Sequence, residues 1–469
     1  MKARTLFSLS SLTVVAALAV LEPVGLKRGN GYAIEAKATG DDVCAGSEGL
    51  AGFVHLDRRD RHIFFWAFES RNDPATDPVV LWMTGGPGGS STGIGGLVEL
   101  GPCLVRDANS TISNPNAWNN NATVLFVDQP ANVGYSYSSV NVTGVDEATD
   151  DMHLFLRVFF ATYPQLQDRP FYIAGESFGG TWVPRLAERI LDRETSGLSQ
   201  VVASTTSTSS VFAPIQLRGV LLGNTQVEQA DQWKGFYDTG CTGAQPLFNA
   251  TACTHIQLQA ARCESLLPVC DRMHYDQALC AAVLQYCREE SVFFIVEAGL
   301  NPYDFRRTCD PERFPNCYQS LVDAEIYMSS ERVRRGLGLS IHSDDRPFVL
   351  ENYELSVAFT QNGDVGTSTS DAVRYLLDKD IPVLIYVGNK DWFCNAAGTR
   401  YWVNNMPWHG LAPFRAAPEQ PWYYDGQQAG WSKSYKNLKF VEVFDAGHMV
   451  PMDKGAEAVA MVNDFLFSQ

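Results

Sequence analysis

The sequence predicts an α/β protein in which a mostly parallel sheet carries helices on both faces. Apolar runs of the buried-strand type recur along the chain, and each of them ends at a turn. Helical patterns lie between them; Met152, Phe155, Leu156, Phe159 and Phe160 follow the spacing of one helix face. Strands that alternate with helices indicate a parallel sheet covered on both sides. The 469 residues exceed the usual size of one domain, so we expect an insertion or a second domain.

The predicted elements follow in chain order. Residues 52–56 and 63–68 flank a polar turn and predict an antiparallel hairpin. A helix-like stretch, 182–191, follows the buried run 171–175. These runs cover residues 79–84, 123–128, 171–175, 217–223, 383–388 and 440–444.

Two stretches interrupt this alternation. Residues 199–210 are rich in Ser and Thr and predict a solvated surface loop. Residues 225–350 lack clear buried strands and hold eight of the eleven cysteines, which indicates a disulfide-stapled insertion. We therefore divide the chain into an N-terminal core part (45–224), a cap (225–350) and a C-terminal core part (351–469). A cap above the carboxyl edge of the sheet would roof the crevice where ligands bind.

The composition narrows the possible partners. Lys and Arg total 36 against 53 Asp and Glu, so the net charge is −17, and nucleic acid and anionic lipid are disfavoured. No Cys-x-x-Cys pair and no zinc-ribbon spacing occurs, so we expect neither a metal nor a cofactor.

The N-terminus predicts entry into the secretory pathway. Lys2 and Arg4 precede an apolar stretch, 6–21, so residues 1–25 resemble a secretory signal, with a signal anchor as the alternative. No other segment predicts a membrane span. Glycosylation sequons point the same way and stand at Asn109, Asn121, Asn141 and Asn249. We expect an oxidised protein, secreted or held in a vacuole-like lumen, without a stable membrane anchor.

Residues 175–179, Gly-Glu-Ser-Phe-Gly, match the G-x-S-x-G pattern of a nucleophile elbow. A predicted strand precedes Ser177 and a predicted helix follows it, as the elbow requires; a plain glycine-rich turn is the alternative. A serine needs a base and an acid that orients the base, in the chain order Ser, Asp, His on this type of fold. Asp391 follows the predicted strand 383–388, and His448 follows the strand 440–444, so both would reach the same crevice.

A glycine-rich loop, residues 83–90, follows an early predicted strand. Its backbone N–H groups could form an oxyanion hole together with the N–H of Phe178, the residue after the serine. A phosphate cradle is the rival interpretation, but the loop has neither a Gly-Lys-Ser/Thr ending nor a G-x-G-x-x-G pattern.

Together these residues resemble the serine carboxypeptidase family of the carboxypeptidase Y type, which has the α/β-hydrolase fold. The resemblance runs in family order from about residue 50 to the C-terminus. Its motifs are Phe64-Phe65-Trp66, Glu69-Ser70-Arg71-Asn72-Asp73-Pro74, residues 85–91, Glu99-Leu100-Gly101-Pro102, Asp128-Gln129-Pro130, Asn132-Val133-Gly134-Tyr135-Ser136-Tyr137, residues 175–180, Lys390-Asp391, Cys394-Asn395 and residues 447–451.

The resemblance implies a role for each matching residue. Ser177 is the nucleophile, His448 the base and Asp391 its orienter, while Gly86 and Phe178 supply the oxyanion N–H groups. Glu176 and Glu99, with Thr84, would bind the carboxylate of the substrate, and Cys394 and Met449 would line a substrate pocket. A carboxyl that stays protonated can hydrogen-bond a carboxylate, and two neighbouring carboxyls do not both ionise cheaply, so acid pH should favour activity.

The chain departs from the family at two positions. Thr84 stands where the family usually has an asparagine that helps to bind the terminal carboxylate. Gly89 stands where the family has a cysteine, whose partner downstream of the cap is also missing, whereas Cys44 and Cys103 are additional. The resemblance and the cysteine order imply Cys44–Cys103, Cys241–Cys253, Cys263–Cys287, Cys270–Cys280 and Cys309–Cys317, with Cys394 free. In the alternative, Cys394 is paired and Cys44 is the odd cysteine.

The sequence therefore predicts a serine carboxypeptidase that releases single residues from the C-termini of peptides and proteins through an acyl-enzyme. An acyltransferase or esterase on the same scaffold is one alternative, and the retained Glu176 and Glu99 argue against it. A non-catalytic binding protein is the other, although such a protein would normally have lost a triad member.

Overall fold

The computed structural model of the protein describes residues 20–195, 212–242, 246–272, 276–289, 293–310, 312, 317–339 and 346–468. Most of the predicted signal segment and all of the predicted Ser/Thr-rich loop lie outside these residues.

A 12-stranded sheet forms the centre of the fold. Its neighbouring strands follow the order β1-β2-β3-β4-β8-β5-β9-β10-β13-β16-β15-β14. Its strands are β1 (Val24–Arg28), β2 (Ala33–Thr39), β3 (Gly49–Leu56), β4 (Arg61–Phe68), β5 (Val79–Met83), β8 (Thr123–Val127), β9 (Phe171–Ser177), β10 (Leu217–Thr225), β13 (Val383–Gly388), β14 (Gln420–Tyr424), β15 (Gln427–Tyr435) and β16 (Leu438–Val443). Two small hairpins stand apart from it: β6 (Cys103–Asp107) with β7 (Ser110–Ser113), and β11 (Leu300–Asn301) with β12 (Asp304–Thr308).

Helices follow most of the central strands. They are α1 (Val145–Thr162), α2 (Gly179–Thr195), α3 (Gln229–Cys241), α4 (Ala250–Leu266), α5 (Pro268–Arg272), α6 (Gln277–Cys287), α7 (Phe293–Glu297), α8 (Gln319–Ser329), α9 (Glu331–Gly336), α10 (Tyr353–Gln361), α11 (Ser370–Asp378), α12 (Ala396–Asn405), α13 (Leu411–Ala416), α14 (Val450–Asp453) and α15 (Gly455–Phe467). A π-helical segment, Ser91–Glu99, follows β5.

The sheet is parallel in its centre and antiparallel at both flanks. The pairs from β8 through β5, β9, β10 and β13 to β16 are parallel. The strands from β1 to β4 and those from β16 to β14 pair antiparallel. This arrangement confirms the predicted fold class, and every predicted buried run is a strand of the sheet. The flanking strands β1, β2, β14 and β15 were not predicted.

The two faces of the sheet carry separate hydrophobic cores. Along β5, Val79, Leu81 and Met83 belong to the first core, and Val80 and Trp82 belong to the second. Successive side chains of a strand point to opposite faces, so a fully apolar strand is covered on both sides. The carboxyl ends of the central strands therefore meet at one edge between two packed layers.

The predicted cap is mostly helical. Helices α3 to α9 and the β11–β12 hairpin lie within residues 225–350, and of the described residues there only Thr225, the last residue of β10, belongs to the large sheet. The disulfides are Cys44–Cys103, Cys241–Cys253, Cys263–Cys287, Cys270–Cys280 and Cys309–Cys317, and Cys394 is a buried free thiol. These are the pairs that the family resemblance implied.

The four asparagines of the predicted glycosylation sites differ in exposure. Asn109, Asn141 and Asn249 are exposed, whereas Asn121 is partly buried and accepts a hydrogen bond from Asn463 at 3.0 Å. Among the described helices, none combines the length and the apolar character needed to cross a bilayer.

Candidate active site

Ser177 stands at the carboxyl end of β9 in a strained backbone conformation. Its φ is +60°, a left-handed value that L-residues other than glycine rarely adopt. Helix α2 begins two residues later, so a sharp strand-to-helix turn presents the serine. This is the geometry of a nucleophile elbow.

Two glycines let the backbone pass close to this turn. A Cβ on Gly85 would lie 2.5 Å from the backbone nitrogen of Phe178 and 2.6 Å from the Cβ of Ser177. A Cβ on Gly180 would lie 2.6 Å from the carbonyl oxygen of Gln226. Only glycine permits these approaches, so the glycine-rich loop after β5 lies directly against the elbow.

Asp128 fixes the far end of that loop. Its carboxylate accepts hydrogen bonds from Ser90 Oγ at 2.7 Å and from the backbone N–H of Thr92 at 3.0 Å. Burial raises the pKa of Asp128 to about 6, although these hydrogen bonds act in the opposite direction. The carboxylate thus holds the start of the Ser91–Glu99 segment on the sheet.

The predicted acid and base meet at the same edge. His448 Nδ1 lies 2.6 Å from Asp391 Oδ2, and both side chains are buried. This contact orients the imidazole and leaves Nε2 facing Glu176 Oε1, at 3.8 Å. Ser177 and His448 line one cavity of about 110 Å³. Strand ends from β9, β13 and β16 thus bring the three predicted residues together.

Asn224 is a site residue that the sequence analysis missed. Its Nδ2 donates to Asp391 Oδ2 at 2.9 Å, and its Oδ1 accepts from the backbone N–H of Gly388 at 2.9 Å. It is buried at the end of β10, next to β13 in the sheet. Asn224 therefore holds the same Asp391 oxygen that His448 Nδ1 contacts.

The turn of the β11–β12 hairpin holds the Asp391 and His448 loops. The carbonyl of Tyr303 accepts from the His448 backbone N–H at 2.7 Å, and the carbonyl of Pro302 accepts from that of Trp392 at 3.0 Å. The N–H of Phe305 donates to the Lys390 carbonyl at 3.0 Å. A segment of the predicted cap thus sets the position of both loops.

Glu176 and Glu99 form a buried carboxyl pair beside the base. The two carboxyls are electrostatically coupled and can share a proton between them. Burial raises the pKa of Glu99 to about 7, and burial together with the charge of Glu99 raises the pKa of Glu176 well above its ordinary value. Glu176 lines the cavity, whereas Glu99 lies behind it.

The predicted pocket residues occupy different positions. Thr84 and Met449 line the cavity with Glu176. Cys394 is fully buried and its thiol interacts with Ser177; burial together with the charge of Asp391 raises the pKa of the thiol well above its ordinary value. The thiol is therefore a neutral neighbour of Ser177. Cys394 is not among the described residues that line the cavity, in contrast to the prediction.

Asp391, Cys394 and His448 place one ligand-type atom each within 4.8 Å of one another. The Asp391–His448 hydrogen bond already occupies two of these groups, which favours a triad over a metal centre. A larger cavity, of about 600 Å³, lies against β2 and β3, and none of the predicted triad, oxyanion or carboxylate-binding residues is among the described residues that line it.

Comparison with known sequences identifies close relatives. The sequence profile of the peptidase S10 family, described as serine carboxypeptidase, matches residues 42–468. Carboxypeptidase Y of Komagataella phaffii is 34% identical over 422 residues, which cover 89% of this chain and 75% of the relative. The vacuolar serine-type carboxypeptidase ATG42 of Saccharomyces cerevisiae is 33% identical over 420 residues, or 88% of this chain and 78% of the relative.

Comparison with solved structures supports the fold. The crystal structure of Kex1, a prohormone-processing carboxypeptidase from Saccharomyces cerevisiae, matches with a TM-score of 0.73 at 23% identity. The match covers 92% of this chain and 95% of the Kex1 chain. At this identity the likeness establishes the architecture, which is the α/β-hydrolase fold.

Proposed function

This chain belongs to the serine carboxypeptidase family, and from that membership we propose that Ser177, His448 and Asp391 are its catalytic triad. As a serine carboxypeptidase it acts on peptide C-termini. The observation that carries the residue assignment is the left-handed Ser177 in one cavity with a His448 that is bonded to Asp391.

In the proposed reaction, Ser177 Oγ attacks the carbonyl carbon of the last peptide bond while His448 Nε2 takes the serine proton. The N–H groups of Gly86 and Phe178 stabilise the oxyanion. His448 then returns the proton to the leaving nitrogen, so the C–N bond breaks and the terminal amino acid departs. A water molecule hydrolyses the ester to Ser177 by the same sequence of proton transfers. Asp391 stabilises the imidazolium, and Asn224 keeps that carboxylate in place.

The carboxyl pair supplies the selectivity for a free C-terminus. A protonated Glu176 can donate to the substrate carboxylate, which is favourable only while the pair holds its protons. Its raised pKa keeps the proton available on the acid side of neutral. We therefore propose that peptide hydrolysis is favoured at acid pH.

Thr84 is compatible with this role despite replacing the usual asparagine. Its Oγ1 accepts a hydrogen bond from Trp82 Nε1 at 2.9 Å, which leaves the hydroxyl hydrogen free to point elsewhere. Since Thr84 lines the cavity with Glu176, the hydroxyl can donate to the same carboxylate. This favours the peptidase over the acyltransferase or esterase alternative.

We also propose that residues 225–350 are a cap on the core parts 45–224 and 351–469. Secretion or a vacuole-like lumen is the proposed location. The disulfides support an oxidising compartment, and one of the relatives is named vacuolar.

Digestion of a peptide library at several pH values, with mass-spectrometric read-out of both ends, tests the function. We expect stepwise loss of C-terminal residues, fastest below pH 7. The same peptides with amidated C-termini should be cleaved much more slowly. Internal cleavage, or equal rates on free and amidated peptides, would contradict the proposal.

A further inference from the structure

Arg288 places a positive charge in the active-site cavity, and the proposed mechanism gives it no role. It directly follows α6 and lines the same cavity as Ser177 and His448. The side chain is partly buried, and it makes no salt bridge or side-chain hydrogen bond with any residue that the structure describes. Apart from burial, the phenol of Tyr303 is the described group that shifts the pKa of Arg288.

An unpaired guanidinium in such a position is unfavourable. A charge withdrawn from water costs free energy unless a counter-ion or hydrogen bonds compensate it. Burial lowers the pKa of Arg288, but a guanidinium stays charged throughout the range in which proteins are folded. A ligand that carries a carboxylate would supply the missing partner, and the planar guanidinium matches a carboxylate with two parallel hydrogen bonds.

The position of Arg288 identifies the part of the substrate that it faces. The cavity lies between the two hydrophobic cores. Ile94, Leu321 and Met449 line one side and belong to the second core. Val98 and Leu100, which flank Glu99 in the chain, belong to the same core. Trp233, Val365 and Phe393 line the other side and belong to the first. Arg288 is on this other side, because Trp233 Nε1 donates to the carbonyl of the preceding Cys287 at 3.2 Å.

We propose that Arg288 binds the side-chain carboxylate of an Asp or Glu at the penultimate position of the substrate, the residue that becomes the acyl group on Ser177. This inference rests on the proposed function, since the Glu99–Glu176 pair defines the side of the cavity where the released residue lies. The enzyme is then selective for peptides with an acidic penultimate residue.

The other acids of the cavity do not neutralise Arg288. Glu176 is electrostatically coupled to Glu99, and Glu351 Oε2 accepts a hydrogen bond from Tyr353 at 2.8 Å. Burial raises the pKa of Glu351, which favours its neutral form in acid. Among the described residues, neither carboxyl lies within ion-pair distance of the Arg288 guanidinium.

The test compares blocked dipeptides that release the same alanine and differ only in a penultimate Glu, Gln or Lys. At pH 5.5 to 6, where a free Glu side chain is ionised, kcat/KM for Glu should exceed that for Gln by about tenfold, or ~1.4 kcal/mol. Arg288→Met should bring the Glu/Gln ratio close to one, Arg288→Lys should retain part of it, and Arg288→Glu should reverse the preference toward Lys. Arg262→Met is the matched control, because Arg262 is an exposed arginine of the cap that bonds Tyr286, and it should keep the wild-type ratio.

Three results would overturn the inference. A wild-type Glu/Gln ratio near one excludes the preference itself. A ratio that persists in Arg288→Met, in protein whose Ser177 still reacts with a fluorophosphonate, assigns the preference to another residue. A Met variant that raises KM equally for all three substrates places Arg288 on the terminal carboxylate instead. If wild-type enzyme released alanine from none of these peptides while amidated peptides were cleaved, the proposed function itself would fail.

Discussion

The buried carboxyl pair makes the pH dependence of peptide cleavage a quantitative prediction. The pKa of Glu99 is raised to about 7, and that of Glu176 lies well above its ordinary value. The substrate carboxylate binds to the protonated pair, so binding is strongest well below pH 7 and is lost as the pH rises through the raised pKa of the pair. With the pKa of Glu99 raised to about 7, most of this carboxyl is protonated at pH 5 and little of it at pH 8. The resulting loss of affinity is roughly tenfold over this range and a further tenfold for each higher pH unit.

The assay uses two substrates with the same acyl residue, a blocked dipeptide with a free carboxylate and an ester that has none. The ratio of their kcat/KM values isolates carboxylate binding, because both substrates need the same nucleophile and base. We expect this ratio to fall about tenfold between pH 5 and pH 8 in the wild type. In Glu99→Gln/Glu176→Gln the ratio should be lower in acid and independent of pH, because two amides do not titrate.

Glu351→Gln is the control, since Glu351 also lines the cavity and also has a raised pKa. This variant should keep the wild-type pH profile. A flat ratio in the wild type, or a fall that survives unchanged in the double variant, would refute the assignment of the carboxylate site to the pair.

Three further changes probe neighbouring contacts. Asn224→Ala removes the second hydrogen bond to Asp391 and should lower kcat by roughly tenfold with little change in KM; an unchanged kcat would contradict its positioning role. Cys394→Ser should remain active and resist organomercurials that inhibit the wild type, and equal inhibition of both proteins would place the reactive group elsewhere. Gly89 and Glu351 form a non-hydrogen-bonded antiparallel pair. On either side of it, the Ser90 N–H donates to the Leu350 carbonyl at 2.8 Å and the Asn352 N–H donates to the Gly88 carbonyl at 2.9 Å. Such a pair has the Cα spacing that a disulfide needs, so oxidised Gly89→Cys/Glu351→Cys should gain about 2–4 kcal/mol and a higher Tm than its reduced form; two free thiols after oxidation would contradict this geometry.

Much of the fold could be predicted because its central strands are buried on both faces. A run such as Val79–Met83 has no polar position, and the turns that follow these runs mark their carboxyl ends. The flanking strands lack this signal: within Gln420–Tyr424 and Gln427–Tyr435 only Gly430 is buried, so neither segment is a continuous apolar run. Their pairing is decided by the neighbouring strand and not by their own composition.

The site was predictable where local pattern and chain order carry it, and not where contacts between distant segments do. The elbow around Ser177 is a local strand–turn–helix pattern. Asn224 becomes a partner of Asp391 only because β10 lies beside β13, and Arg288 reaches the cavity only because Cys287 packs on Trp233. Neither position has a sequence pattern of its own that distinguishes it from a surface residue.

The most direct test of the central claim is the identification of the nucleophile. Wild-type enzyme and Ser177→Ala should each be treated with a fluorophosphonate probe, mapped by peptide mass spectrometry, and assayed for release of C-terminal amino acids. We expect the label on Ser177 alone, stoichiometric loss of activity on labelling, and a Ser177→Ala protein that takes up no label and turns over several orders of magnitude more slowly. A label on another serine, or wild-type release of C-terminal residues by Ser177→Ala, would contradict the account.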